Sequence, residues 1–313
     1  MNTEEKVSAP RKWAVAARPW ALPASTMPVL FGTSLAAVFG GSGFNILRFV
    51  LALAAMILLH LGANMLSDVF DARRGLDVKV TPMSGAIIRG WLTERQVVRG
   101  STVLIAAGSG LGIALAAMTG WELVAIGLAG IGIGLGYSWL KSRLLGDLSV
   151  FLNFGILGSL GAWFVQTRAL SLLPVLWAVS MSMLVAAILH ANNWRDAALD
   201  KEKGIITPAV VLGDRGSAVY YDLLIFSPFA VLLFFIAAPR IAAMPMPAMP
   251  ISFFATAAAL PLSFSLRRRA RRRHAPGGRP DFITLDAATA QYNLLFGLLC
   301  TLAAWLSLIP GLP

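Results

Sequence analysis

A-N-N-W-R-D-A-A-L-D-K-E-K-G, residues 191–204, follows directly on the apolar run SLLPVLWAVSMSMLVAAIL. It places Asp196 and Asp200 one helical turn apart where a greasy segment ends. Acids are scarce in this chain: 15 in 313 residues, with 13% of residues charged, 57% hydrophobic and a mean hydropathy of +0.73. Soluble domains carry roughly 25% charged residues. Apolar runs recur from residue 20 to residue 310, which predicts an all-α, polytopic membrane bundle, because a helix satisfies its own backbone in lipid. At about 20 residues per span, nine transmembrane helices are predicted, at 20–40, 46–66, 97–118, 121–140, 147–167, 171–192, 217–237, 249–266 and 288–309. They are expected to surround a central cavity within one domain covering residues 1–313. MNTEEKVSAPRKWAVAARPW has early acids and no apolar core followed by a cleavage site, so the first span is expected to stay uncleaved. The single Cys300 lies in an apolar run and excludes an intramolecular disulfide.

Nine spans put all but three of the 26 basic residues on one side, the exceptions being Arg48, Arg168 and Arg240. The positive-inside rule then makes the N-terminus cytoplasmic, and 14 of the 15 acids, all but Glu122, fall on the same face. Two inner connections, 67–96 and 193–216, are long and mix apolar residues with turn signals, so they are expected to form ordered caps. A third, RRRARRRHAPGGRP, predicts a flexible polybasic segment over 267–279 that meets anionic membrane lipids, not nucleic acid.

The polar face repeats one device. Asn64, Asp68 and Asp71 stand at i, i+4, i+7, and Asn192, Asp196 and Asp200 at i, i+4, i+8, each set on one face of a helix. Spans 2 and 6 carry them, and those spans run in the same direction. Acids at a helix end are ordinarily solvated residues balancing nearby bases; two matched sets on one side of a membrane are harder to dismiss so, since ionisable groups near a membrane interior are costly. Carboxylates with no thiolates and few histidines suit Mg²⁺, which is held through one or two carboxylates plus substrate phosphates. Basic residues follow each set and would neutralise phosphate charge. The residues therefore predict a Mg–diphosphate site that opens into an apolar bundle and takes an amphiphile with a diphosphate head and a hydrocarbon tail.

N-N-W-R-D-A-A-L-D-K-E-K-G resembles the second motif of the UbiA superfamily of intramembrane aromatic prenyltransferases, and is most similar to its menaquinone branch, the 1,4-dihydroxy-2-naphthoate polyprenyltransferases. S-D-V-F-D, with Asn64 upstream, is similar to the first motif. Weaker echoes are A-R-P-W-A-L-P at 17–23, P-M-S-G-A at 82–86, Y-S at 137–138 and L-G-D-L-S-V at 145–150. Two positions depart: Ser67 stands where the family has Asn, and Ile205 where a Lys follows the motif glycine, Gly204.

The resemblance implies a polyprenyltransferase of the multi-pass cytoplasmic (inner) membrane, its active site on the cytoplasmic side. It implies that two Mg²⁺ ions are held by Asp68, Asp71, Asp196 and Asp200, with Asn64 and Asn192 completing or orienting the shell. The same resemblance gives Arg195, Lys79, Lys203, Lys141, Arg18 and Tyr137 to the diphosphate and the cavity. Polyprenyl diphosphate would be the donor and an aromatic ring the acceptor; 4-hydroxybenzoate, homogentisate and tetrapyrrole acceptors stay open beside 1,4-dihydroxy-2-naphthoate. His60 and His190 are expected to be hydrogen-bonded core residues, not ligands. A transporter predicts acids at mid-depth and interrupted helices, and a CDP-alcohol phosphotransferase concentrates its acids in one motif; neither pattern fits as well.

Overall fold

The computed structural model describes residues 7–73, 85–241, 247–274 and 279–310, without the side chains of Asp71, Ser138 and Arg279. The first half of the chain runs through α1 (Ala9–Ala17), a 3-10 turn Pro19–Ala21, α2 (Pro23–Phe39), α3 (Ile46–Arg73), α4 (Glu94–Thr119) and α5 (Glu122–Lys141). Next come α6 (Gly146–Val150), a π-helical stretch Phe151–Leu157 and α7 (Gly158–Thr167), which together form one rod. The chain continues with α8 (Leu172–Trp177), α9 (Val179–Glu202), α10 (Pro208–Ile241, kinked at Gly213) and a 3-10 stretch Ile251–Ala259. It closes with α11 (Leu260–Arg271), α12 (Arg279–Ile283) and α13 (Leu285–Leu306). Among the described residues everything regular is helical, apart from one isolated parallel bridge between Arg143 and Ile206.

Helix occupies all nine stretches expected to span, but by length and composition only five helices qualify: α3 over Ile46–Phe70, α4, the Gly146–Thr167 rod, α10 and α13. A sixth is counted if the α1 segment to Ala21 and α2, which meet at a 49° bend, cross as one. The other stretches are shorter or broken. α5 offers a short apolar helix, Glu122–Tyr137. The 171–192 run divides at Ala178 into α8 and α9, and the 249–266 run begins as 3-10 turns.

The expected caps also differ. Residues 193–202 are not a connection: α9 continues unbroken through them to Glu202, because its backbone ladder is indifferent to the polarity that makes a hydropathy profile fall. In the first expected cap, residues 67–73 likewise continue α3 and 74–84 lie outside the described residues; beyond them Ala86 and Leu92 pack on Met65, Val69 and Val15, and α4 starts at a Thr93/Gln96 capping box. The polybasic run is helical to Arg271 and tethered: Arg267 and Arg271 meet Asp222 at 3.1 and 2.7 Å, Arg272 meets Asp281 at 3.1 Å, and Arg273 meets Asp214 at 3.0 Å. Two acids distant in sequence, Asp214 and Asp222, and one nearby, Asp281, thus hold a segment expected to be flexible; residues 275–278 of it lie outside the described residues.

Large apolar side chains such as Ile113, Trp121, Leu135 and Val219 face outward. That would be a liability in water and is what a bilayer solvates. Helices in lipid gain little from hydrophobic burial against one another and associate through close packing. Gly32 shows this: a Cβ there would lie 2.3 Å from the Ser159 carbonyl oxygen, so α2 and α7 touch backbone to backbone, and Ser159 Oγ donates to the Pro28 carbonyl at 3.1 Å. The main core gathers residues from α2, α9, α10, α13 and the second 3-10 stretch, with Trp177 edge-on between Phe39 (5.3 Å) and Phe253 (5.8 Å).

Candidate functional site

The first half of the site is built where α1 breaks. Arg18 takes the left-handed conformation (φ 54°, ψ 57°) immediately before Pro19, a combination that sterics disfavour. Two contacts hold it. Its N–H donates to the Ala14 carbonyl at 2.9 Å, and its guanidinium ion-pairs with Asp68, which is 1% exposed. One turn earlier on α3, Asn64 Nδ2 donates to the Ala17 carbonyl at 3.0 Å. The break after α1 is therefore clasped by two of the three residues of the first motif, and Asn64 Oδ1 is left as the amide atom that can face a cation. Asp71 follows one turn on along α3, its side chain outside the described part, and Ser67 lies half-buried beside Asp68. Lys79 lies outside the described residues.

The second half is the tip of α9. Arg195 folds back on its neighbour: Nε donates to Asp196 Oδ1 at 3.1 Å and Nη2 to Asp196 Oδ2 at 2.9 Å. Its remaining nitrogen, Nη1, donates to Asp286 Oδ2 at 2.7 Å, and Asn192 Nδ2 reaches the same oxygen at 3.4 Å. Burial alone would press the Arg195 guanidinium toward neutrality; Asp196 and Asp286 more than reverse this and raise its pKa above the usual arginine value. Asp200 is buried on the same face.

The motif glycine has a structural reason. Gly204 sits at φ 71°, with its N–H on the Lys201 carbonyl (3.2 Å) and the Ile205 N–H on the Asp200 carbonyl (2.8 Å). This is the double bond of a Schellman end, which wants an apolar residue just beyond the glycine. Ile205 is that residue and is buried, so its departure from the family pattern is a packing choice. Lys203 stays exposed at the C-cap. Beyond the turn, the Arg143–Ile206 bridge and the Leu144 N–H on the Ile206 carbonyl (3.1 Å) fasten the end of α5 to the end of α9. Tyr137 and Lys141 lie one turn apart and half-buried in the last turns of α5, just before this fastening.

α13 touches the second half and the start of α2. Asp286 is in its first turn, and Asn293, seven residues on and on the same face, donates to the Pro23 carbonyl at 2.9 Å, just after the Arg18 corner. Asp286 belongs to no motif and was not foreseen. Nor was Asp147, a buried residue of the LGDLSV echo, which accepts from Asn193 Nδ2 at 3.5 Å. His60 and His190 are both core residues, as expected, but only His60 is hydrogen-bonded; neither ring nitrogen of His190 has a hydrogen-bond partner among the described residues. His60 Nδ1 is 2.6 Å from Ser25 Oγ and its ring stacks on Phe154, while His190 lies against Asp147 (3.5 Å) and edge-on to Tyr220.

Among the described residues no three His, Cys, Asp or Glu side chains form a ready metal cage. Mg²⁺ shared with a diphosphate does not require one, since one or two carboxylates per ion suffice. Each tip offers one carboxylate paired with an arginine, Asp68 or Asp196, and an asparagine whose nitrogen is engaged elsewhere, so the donor set fits a hard cation.

Fold and site together define a class: a multi-helix membrane protein whose helices α3 and α9 each end in an asparagine and an arginine-paired aspartate. The signature of the UbiA prenyltransferase family matches residues 25–285, and the chain belongs to that family of prenyl-transferring enzymes. UbiA prenyltransferase domain-containing protein 1 of Xenopus tropicalis is 33% identical over 293 residues, 91% of this chain and 79% of that protein. The fold is similar to the apo structure of a UbiA homolog from Aeropyrum pernix K1 (TM-score 0.63, 19% identity, 91% of this chain and 98% of that one). It is also similar to a UbiA homolog from Archaeoglobus fulgidus bound to DMAPP and Mg²⁺ (TM-score 0.56, 15% identity, 91% and 98%). Family membership decides against the transporter and the CDP-alcohol phosphotransferase.

Proposed function

We propose that the protein transfers a polyprenyl group from polyprenyl diphosphate to an aromatic acceptor in a Mg²⁺-dependent reaction, with 1,4-dihydroxy-2-naphthoate as the acceptor, in menaquinone biosynthesis. The observation that carries the diphosphate site is the repeated tip: an asparagine tied by Nδ2 and an aspartate paired with arginine, on α3 and again on α9. The choice of acceptor rests on the likeness of residues 192–204 to the menaquinone-branch motif.

Asp68, Asp71, Asp196 and Asp200 would hold two Mg²⁺ ions, with the amide oxygens of Asn64 and Asn192 turned toward them. Bound there, Mg²⁺ supplies Lewis-acid stabilisation of the departing diphosphate. Arg18, Arg195, Lys141, Lys203 and Lys79 neutralise phosphate oxygens, and Tyr137 offers a hydroxyl at the rim. The apolar helices house the tail and keep water from the allylic cation left when the C1–O bond breaks. A ring carbon of the acceptor forms the new bond to C1, and the ring carboxyl departs as carbon dioxide. The N-terminus and the charged end lie on the cytoplasmic side of the cytoplasmic membrane, supported by the distribution of basic residues, with nine crossings in all; the arginines of 267–279 not engaged by acids meet lipid headgroups.

Purified protein is incubated with polyprenyl diphosphates of several lengths and a panel of aromatic acceptors, with and without Mg²⁺, and products are read by mass spectrometry. A prenylated, decarboxylated naphthalenediol that forms only with Mg²⁺ supports the proposal. Turnover that survives chelation, or prenylation of a different acceptor alone, overturns its corresponding part.

A further inference from the structure

We propose that Asp286 is a positioning residue for the diphosphate site, one oxygen of its carboxylate fixing both Arg195 and Asn192 as they meet the head group. The proposal rests on the assignment of Asn192, Arg195 and Asp196 to the metal–diphosphate made above, and adds a residue that neither motif contains.

Neighbours on a helix point about 100° apart, so nothing in α9 itself sets Arg195 beside Asp196. The guanidinium lies there with its Nε/Nη2 edge on Asp196, and its far nitrogen is anchored from another helix by Asp286 Oδ2 at 2.7 Å. Were Asp196 its sole partner, a divalent ion taken up by that carboxylate would leave the arginine free to swing away. Anchored at Nη1, it stays in place and presents the two-nitrogen fork that suits a phosphate as well as a carboxylate. Asn192 gains in a different way. Its Nδ2 is directed to Asp286 Oδ2, so the amide is turned with Oδ1 as the atom available to a cation.

Asp286 is itself held for this task. Its other oxygen, Oδ1, accepts from the Ala287 N–H at 2.9 Å in the first turn of α13, where the helix dipole favours an anion. Its side chain is 18% exposed and that of Arg195 15%, so the pair lies inside the fold and not on a solvated face.

The test uses the full-length protein in lipid nanodiscs and farnesyl S-thiolodiphosphate, a donor analogue that resists cleavage, titrated calorimetrically with and without Mg²⁺. Asp286→Asn keeps the shape and the acceptor oxygen but removes the charge. It is expected to weaken Mg²⁺-dependent binding by about ten- to a hundredfold, the usual effect of losing an outer-shell partner, while the unfolding temperature holds. Asp286→Glu should recover part of the loss. In turnover, KM for the donor should rise while KM for the acceptor stays. Because the residue acts largely through Arg195, Asp286→Asn should add little to the defect of Arg195→Ala in the double variant. Wild-type protein that binds the analogue while Asp286→Asn binds it equally tightly overturns this inference alone, as does full additivity with Arg195→Ala. Wild-type protein with no Mg²⁺-dependent binding overturns the diphosphate assignment and this inference with it.

Discussion

Replacing Asp68 by asparagine separates chemistry from folding. Asp68 is 1% exposed and pairs with Arg18, whose side chain is 20% exposed. Asparagine keeps an oxygen for the guanidinium and gives up only the charge assistance, a loss of about 1 kcal/mol, or a fall of about 2 °C in unfolding temperature for a chain of this size. Alanine removes the oxygen too and strands a mostly buried cation in a left-handed corner. Fully buried pairs lose about 3–5 kcal/mol in that case, and partial exposure of Arg18 brings the figure to the low end, about 3 kcal/mol. Turnover should respond differently. Loss of one carboxylate from the metal–diphosphate contact removes about 3 kcal/mol of transition-state stabilisation, a hundredfold or more in rate, in both variants. The assay pairs transfer of a radiolabelled prenyl group with thermal unfolding followed by tryptophan fluorescence. Asp68→Asn protein that turns over within about tenfold of wild type would refute the role given to Asp68, whatever its stability.

Three further outcomes are expected. Gly204→Ala forces a side chain into φ 71° and should cost about 1–2 kcal/mol, read as a lowered unfolding temperature together with weaker donor binding as the Asp200 turn loosens. Gly32→Leu sets a Cβ 2.3 Å from the Ser159 carbonyl oxygen; size-exclusion chromatography should show aggregated or absent protein, and a monodisperse, active variant would contradict the close approach of α2 and α7. Mg²⁺ with a non-cleavable donor analogue at about a hundredfold over its Kd should stabilise the folded state by about 2.7 kcal/mol, visible as a raised unfolding temperature that chelation abolishes.

The tips of α3 and α9 were legible because their residues are local: an asparagine and two aspartates at helical spacing share a face whatever the tertiary structure. What escaped depends on pairs far apart in the chain. Asp286 is a lone acid at the start of an apolar helix, and its partner Arg195 is 91 residues away. The polybasic run looked flexible because Asp214 and Asp222, which restrain it, sit on α10, with no sequence cue to the pairing. The end of the 171–192 stretch was misplaced for a related reason: a hydropathy profile ends a helix where charge begins, whereas α9 carries its charged motif on the same continuous ladder. Ile205 looked like a lost cation in the sequence and is a buried residue closing a helix.

The bond from Asn293 to Pro23 joins positions 270 residues apart. A ribosome delivers roughly 5–20 residues per second, so α2 waits on the order of tens of seconds for the helix that braces it. During that interval Arg195 has no Asp286, and the corner behind Arg18 has no strut. A nascent chain halted before α13 thus lacks both of these bonds, and the late helix completes them.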